Sequence, residues 1–380
     1  MNKKLNILIA IDSFKGSLTS LEAASAIERG IKKVDENIIV EKVPLADGGE
    51  GTVESIVSYA NGSYVNLQVK DPLIRDVIAK YGLVNNGETA VIEMASASGI
   101  GMLAEDERNP LIATTYGTGQ LIQDALEKGC ENFLIGIGGS ATNDGGVGMA
   151  MALGAKFLDS EGKNIGHEPR NFHNINSIDF SQMDTRIKDV KISVLCDVNN
   201  PLIGENGASH VYGPQKGADR KMVELLDNNL KHLADIAEKE LGASFRNIPG
   251  TGAAGGLGFG LVAFLGARLL GGINFLVDFV NLEKKIIESD IVITGEGKVD
   301  FQTKFNKLPV GIARLAHKHN KKTVCIAGKI DEGAREMKGN QFDEIFSIME
   351  EGIEEEDAIK NAADYLQKIV FNKMKNLFVE

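Results

Sequence analysis

Cysteine is scarce in this sequence: three in 380 residues, Cys130, Cys196 and Cys325. An odd number of widely spaced thiols in apolar surroundings excludes a disulfide framework or cysteine metal cluster. It reads as reduced core residues of a cytoplasmic protein. Basic charge is also in deficit, with 41 Lys and Arg against 53 Asp and Glu, a net charge of −12. Nucleic acid and anionic membrane are thereby removed as partners, since both require a basic footprint. No uninterrupted apolar stretch is long enough to span a bilayer. The longest, residues 257–276, is broken by Arg268 and several glycines and is expected to form a buried helix. The N-terminal run carries no signal-peptide pattern and leads straight into a strand. Histidines lack metal-ligand spacing: His317 and His319 face different ways on an expected helix, and His167, His173, His210 and His232 are scattered. There is no G-x-x-x-x-G-K-[ST], which excludes a Walker-type NTPase, and no internal repeat.

What is present is an ordinary globular composition, 43% hydrophobic and 25% charged, at a length that suggests two domains. The most informative stretch is residues 133–148. An apolar run (Phe133-Leu134-Ile135) breaks into Gly136, Gly138, Gly139, Ser140, Thr142, Asn143-Asp144 and two more glycines, and a small-residue helix follows. Strand, glycine-hydroxyl loop and helix aim backbone donors at an anion. Asp144 would repel a phosphate unless a divalent metal lay between them. The competing reading is a tight turn capped by Asn143 or Asp144.

The same vocabulary recurs along the chain. The strand 7–11 ends in Asp12-Ser13-Phe14-Lys15-Gly16-Ser17, and a helix capped by Thr19 and Glu22 follows. The strand 38–43 runs into Ala46-Asp47-Gly48-Gly49-Glu50-Gly51-Thr52. Near residue 63 the pattern becomes antiparallel, with extended runs at 64–70, 77–84 and 90–95 and an Asn86-Gly87 hairpin signal. A small hairpin is expected over 157–165, and the strand 192–196 ends in Asp197. Farther on, strands 291–294 and 323–327 end in Gly295-Glu296-Gly297-Lys298-Val299-Asp300 and Gly328-Lys329. The acidic run 350–357 reads as a solvated helix start, and 358–377 as a closing helix. The expected fold class is α/β with two domains. One is a doubly wound, flavodoxin/Rossmann-like three-layer domain made of residues 1–62 plus 283–380. The other is a mixed α/β domain, 63–282, inserted into it, with the active site in the cleft between.

Loops rich in Gly, Ser or Thr, carboxylates and lysines suit phosphoryl transfer, whose demands are placement and charge neutralisation rather than a covalent nucleophile. Gly250, Gly252 and Gly255 also satisfy G-x-G-x-x-G, which would suit an NAD(P)-dependent dehydrogenase. However, Pro249 stands where a buried strand is needed, and no acidic partner follows on a strand. A non-catalytic protein that binds a sugar acid is a third reading; it would not need both carboxylates and lysines.

With these residues in view, the sequence resembles the bacterial glycerate kinases, the family that includes the glycerate 2-kinases. The matching blocks are Asp12 to Leu18, Pro44 to Thr52, Gly138 to Gly146, Gly213-Pro214-Gln215-Lys216-Gly217-Ala218, Gly250 to Gly260 and Thr294 to Asp300, in register over almost the whole chain. The resemblance implies an ATP- and Mg²⁺-dependent kinase acting on D-glycerate. It associates the chain with 2-phosphoglycerate as product, while the residues leave 3-phosphoglycerate open. A homodimer is left open in the same way.

Roles are assigned from chemistry. Gly138, Gly139, Ser140, Thr142 and Asn143, with Gly252 and Gly255, are the expected contacts of ATP. Asp144, Asp197 and Glu296 are the expected metal ligands. Lys15 and Lys216 would neutralise phosphate or the glycerate carboxylate. Ser13, Gly48, Gly49, Glu50 and Asp300 complete the expected substrate contacts. Asp47 is the first choice of general base and Asp197 the second.

Overall fold

The computed structural model describes residues 4–45, 51–300, 303, 308–349 and 352–373. The chain divides into two compact units, Met1–Asp47 with Gly272–Glu380, and Gly48–Gly271. The first carries a wholly parallel sheet in the order Glu344–Ser347, Lys322–Ile330, Ile291–Val299, Asn6–Ile11, Ile39–Pro44. Numbered along the chain this is the flavodoxin-like order 2-1-3-4-5, whose switch point lies between the first and third strands.

Alternation within these strands explains the three layers. Ile7, Ile9, Ile11, Ile291 and Ile293 pack with Ile27 and Ile31 of the helix Ser20–Val34 and with Leu366 and Val370 of the helix Ala362–Lys373. On the other face Cys325 and Ala327 pack with Val310 and Ala313 of the helix Leu308–Lys318. Covering both faces is why these strands read as apolar runs. The expected Thr19 cap is present: Glu22 N donates to Thr19 Oγ1 at 3.2 Å, and Thr19 N donates to Glu22 Oε2 at 2.9 Å.

Two strands extend beyond their apolar segments. Ile291–Val299 and Lys322–Ile330 stay paired out to Val299 and Ile330, so Glu296, Lys298 and Lys329 lie on strand ends rather than on loops. The expected closing helix is two, Glu355–Lys360 and Ala362–Lys373, separated at Asn361.

The second unit has a six-stranded mixed sheet, ordered Arg268–Leu270, Lys191–Leu195, Asn132–Gly136, Thr89–Glu93, Asp76–Val84, Ser63–Lys70. Its first four strands are parallel and its last two antiparallel. The Asn85-Asn86-Gly87 connection turns with positive φ at all three residues. The small hairpin expected over 157–165 is present: Ile165 N donates to Phe157 O and Asp159 N to Lys163 O, both at 2.9 Å, around Gly162 (φ 80°), and the strand Lys156–Leu158 also pairs with Ser177–Asp179.

The helix expected over 257–276 is split. Leu257–Leu265 ends at Gly266 (φ 67°), Arg268–Leu270 then joins the sheet, and a separate helix Gly272–Phe279 follows in the other unit. The helix Thr52–Tyr59 also falls on the other side of the division from the one its patterning suggested. Val53 N donates to Glu93 Oε1 at 2.7 Å, and Gly82 leaves room for Val57, so the helix is anchored on the second unit's sheet. Among the described residues no helix is long and apolar enough to cross a membrane.

Gly255 sits at φ 67°, and a Cβ there would lie 1.9 Å from Thr142 O. Gly242 has the same φ of 67° with nothing within 4 Å. Gly242→Ala should therefore cost about 1 kcal/mol in urea unfolding, the backbone term alone. Gly255→Ala should cost at least about 2 kcal/mol more, because its neighbour is backbone and cannot yield. Equal losses would show that the two loops are not pressed together.

Candidate active site

In the second unit the loops at the carboxyl ends of Thr89–Glu93, Asn132–Gly136 and Lys191–Leu195 interlock with one another and with the Gly250–Gly256 loop, which follows the helix Arg220–Leu241. Gly252 N donates to Asn200 O at 2.9 Å, and Gly145 N donates to Gly255 O at 3.1 Å. From the other side Ile100 N donates to Gly139 O at 2.8 Å, and Ala141 N donates to Ser98 O at 3.0 Å. Gly252 and Gly255, expected at ATP, are thus packing residues: Cβ atoms there would strike Pro201 O and Thr142 O at 2.0 and 1.9 Å. No strand leads into Pro249, so the glycine triplet lacks the context of a dinucleotide fingerprint.

The loop after Asn132–Gly136 brings Gly138, Gly139, Ser140, Thr142 and Asn143 together with Lys216, which lies 76 residues from Ser140 in the chain. The Lys216 ammonium is buried, donating to Ser140 Oγ at 2.6 Å and to Thr142 O at 2.7 Å. Burial pulls its pKa down to about 7, although the nearby Asp144 carboxylate favours the cation. Two buried acceptors of this loop, Thr142 Oγ1 and Asn143 Oδ1, have no hydrogen-bond partner among the described residues. Orphaned buried groups of this kind are unusual and mark a place for a ligand or water. Asn143 Nδ2 is held by Ser209 Oγ at 3.0 Å.

Asp144, expected as a metal ligand, has another task. It is fully buried and accepts from Thr115 N (2.7 Å), Thr115 Oγ1 (2.8 Å), Thr114 Oγ1 (3.4 Å), Gly146 N (3.1 Å) and Gly148 N (3.2 Å). Burial pushes its pKa up while these donors hold the charged form. A carboxylate so engaged, with four of its five hydrogen bonds on Oδ2, organises the loop. Asp197, by contrast, is exposed, at the carboxyl end of the neighbouring strand Lys191–Leu195.

In the first unit, Ser13, Lys15, Glu296 and Asp300 line one cavity of about 460 Å³. Thr303 ties two of the carboxylates together: its Oγ1 donates to Glu296 Oε1 at 2.7 Å, and its N donates to Asp300 Oδ1 at 3.1 Å. Asp47, Gly48, Gly49 and Glu50 lie outside the described residues.

Among the described residues no three His, Cys, Asp or Glu side chains converge as a metal site. Mg²⁺ does not require one, since it is commonly held by one or two carboxylates plus substrate phosphates and water, and the oxygen donors Glu296 and Asp300 fit that demand.

Sequence reasoning missed Arg108, whose buried Nε has no partner among the described residues and whose backbone borders Gly217 next to Lys216. It also missed the apolar residues Ile348, Met349 and Ile359 of the first unit's cavity. None of these stands in a strand-end glycine motif, so patterning offered no signal for them.

A model of the glycerate kinase family matches residues 7–377. The chain is 48% identical over 364 residues to the glycerate kinase of Bacillus subtilis (strain 168), covering 96% of this chain and 95% of that one. It is 46% identical to the glycerate 2-kinase of Escherichia coli (strain K12), covering 91% of each. A crystal structure from Salmonella typhimurium LT2, of a protein assigned as glycerate kinase 2, superposes with a TM-score of 0.88 at 42% identity, over 99% of this chain and 98% of that one. The chain belongs to the glycerate kinase family, whose members are phosphotransferases.

Asp144→Asn places an amide donor against N–H groups and should lower stability by about 2 kcal/mol or more in urea unfolding. Wild-type stability would return the carboxylate to a metal-binding role.

Proposed function

We propose that the chain transfers the γ-phosphoryl group of ATP to a hydroxyl of D-glycerate, in the cytoplasm and with Mg²⁺. The observation that carries this reading is the family match over residues 7–377, which embraces every loop described above. Reaction at the 2-hydroxyl, giving 2-phosphoglycerate, is the preferred outcome, in keeping with the name of the Escherichia coli relative.

The division of work follows from the residues. The Lys216 ammonium, with Ser140, Thr142 and Asn143, offers a cation and orphaned acceptors in a buried polar cluster, a setting for an anionic and hydroxylated group. Lys15 offers an exposed cation beside Ser13 for phosphate. Asp47 is the proposed base that takes the proton of the attacking hydroxyl, with Asp197 as second choice. Bound magnesium would neutralise charge on the phosphates, held by Glu296 and Asp300. Because phosphoryl transfer asks little covalent chemistry of a protein, placement of donors and charges accounts for the reading, and no nucleophile is required.

The test is a coupled assay for ADP. Release that depends on both D-glycerate and Mg²⁺ is expected, with the product resolved as the 2-phosphate by ³¹P NMR. Asp47→Asn should lower kcat by at least about 100-fold with little change in ATP binding. Absence of glycerate-dependent ADP would refute the activity, and near-wild-type turnover would remove Asp47 from its role.

A further inference from the structure

We infer that the cavity in the first unit is the nucleotide site, with the purine base of ATP on a wall formed by Ile348, Met349 and Ile359. The inference rests on the kinase reading above and adds where the nucleotide goes, which motif logic had placed on the Gly138 loop. Position is the first support. The cavity opens at the carboxyl ends of Asn6–Ile11 and Ile291–Val299, the first and third strands of the 2-1-3-4-5 sheet. That is the switch point, where doubly wound sheets of this order leave a crevice for ligands.

Size and surface agree. A volume of about 460 Å³ suits a nucleotide and far exceeds the need of a three-carbon acid. An acid of that kind carries no flat apolar surface, whereas a purine gains from covering one. Ile359 is 46% exposed, an aliphatic side chain left open at this wall. The wall is held firmly: Ser17 Oγ donates to Ile359 O at 2.5 Å, and Ile348 N donates to Ala327 O at 2.9 Å.

The cavity is also lined by charge. Lys298 pairs with Asp331 at 3.0 Å and Lys329 with Glu355 at 2.8 Å, each pair well exposed to solvent. Exposed pairs of this kind are only weakly held, so either lysine can turn to a phosphate. Asp12, Glu296 and Asp300 line the cavity as well. A lining with this many carboxylates repels a bare triphosphate and accepts one carrying a divalent cation. The nucleotide would thus lie with its base on the apolar wall and its phosphates toward the lysines. The Lys216 cluster is then left to the small polyhydroxy acid, whose carboxylate the buried ammonium can meet.

The test is calorimetric titration of the full-length protein with ADP in Mg²⁺, alongside steady-state kinetics, for wild type, Ile359→Glu and the milder Ile359→Gln. Circular dichroism melting checks that each variant is folded, and the exposure of Ile359 makes the glutamine variant tolerable even where glutamate is not. The expected result is an ADP Kd at least ten-fold weaker for glutamate and several-fold weaker for glutamine, with the KM for D-glycerate within two-fold of wild type. An unchanged ADP Kd in folded variants overturns the assignment, as does a rise confined to the KM for D-glycerate. The two levels separate cleanly. ADP binding that weakens on substitution in a protein without glycerate-dependent turnover upholds the site and sinks the activity. Normal turnover with ADP binding indifferent to Ile359 does the reverse.

Discussion

A buried ammonium is costly, and the second unit is built around one. Lys216 is taken out of water and held by a hydroxyl and a carbonyl of the Gly138–Asn143 loop, with the Asp144 carboxylate close enough to favour its charge. The loop in turn cannot relax. Five hydrogen bonds clamp Asp144, and glycines of the neighbouring loops press against its backbone where no side chain would fit. Cation, carboxylate and glycines are therefore parts of one device. Removing water from the lysine strengthens its attraction for an incoming anion, and the rigid loop spares the reorganisation that water would require.

The two units present different surfaces. The first offers an open cavity with an apolar wall and exchangeable surface ion pairs; the second offers a small, buried, polar cluster with unsatisfied acceptors. A nucleotide is large, flat at one end and highly charged at the other, whereas glycerate is small and polar throughout. On the proposed assignment each surface takes one of the two substrates. Phosphoryl transfer asks for no nucleophile from the protein, because positioning and charge neutralisation supply most of the barrier lowering.

Much of this was readable from residues that act locally. The Thr19–Glu22 cap, the Asn86-Gly87 turn and the buried parallel strands are set by neighbours a few positions away, and they stand where the patterning put them. Effects carried by distant pairing were not readable. The strand Ile291–Val299 persists past its apolar residues only because Lys322–Ile330 runs beside it, and Thr52–Tyr59 belongs with the second sheet because of Glu93 and Gly82. Chemical ambiguity accounts for the rest. A carboxylate in a glycine loop suits a metal and a set of backbone amides equally well, and only the donors around Asp144 decide between them. The Gly250, Gly252, Gly255 triplet likewise matches a nucleotide motif, while its spacing is dictated by packing against Pro201 and Thr142. Lys216 was identified by type, but its burial, and hence its lowered pKa, depends on a fold-back invisible along the chain.

The central claim is that the Lys216 cation receives the acid, and its titration is the direct probe. The pKa of Lys216 is lowered, so the cation is fully present below about 7 and is lost as pH rises through that value in the free enzyme. The measurement is kcat/KM for D-glycerate from pH 6 to 9, in the wild type and in Lys216→Met. The expected wild-type profile declines above about pH 7, while the methionine variant is much weaker and lacks that decline. A variant with the same alkaline limb as the wild type would contradict the claim.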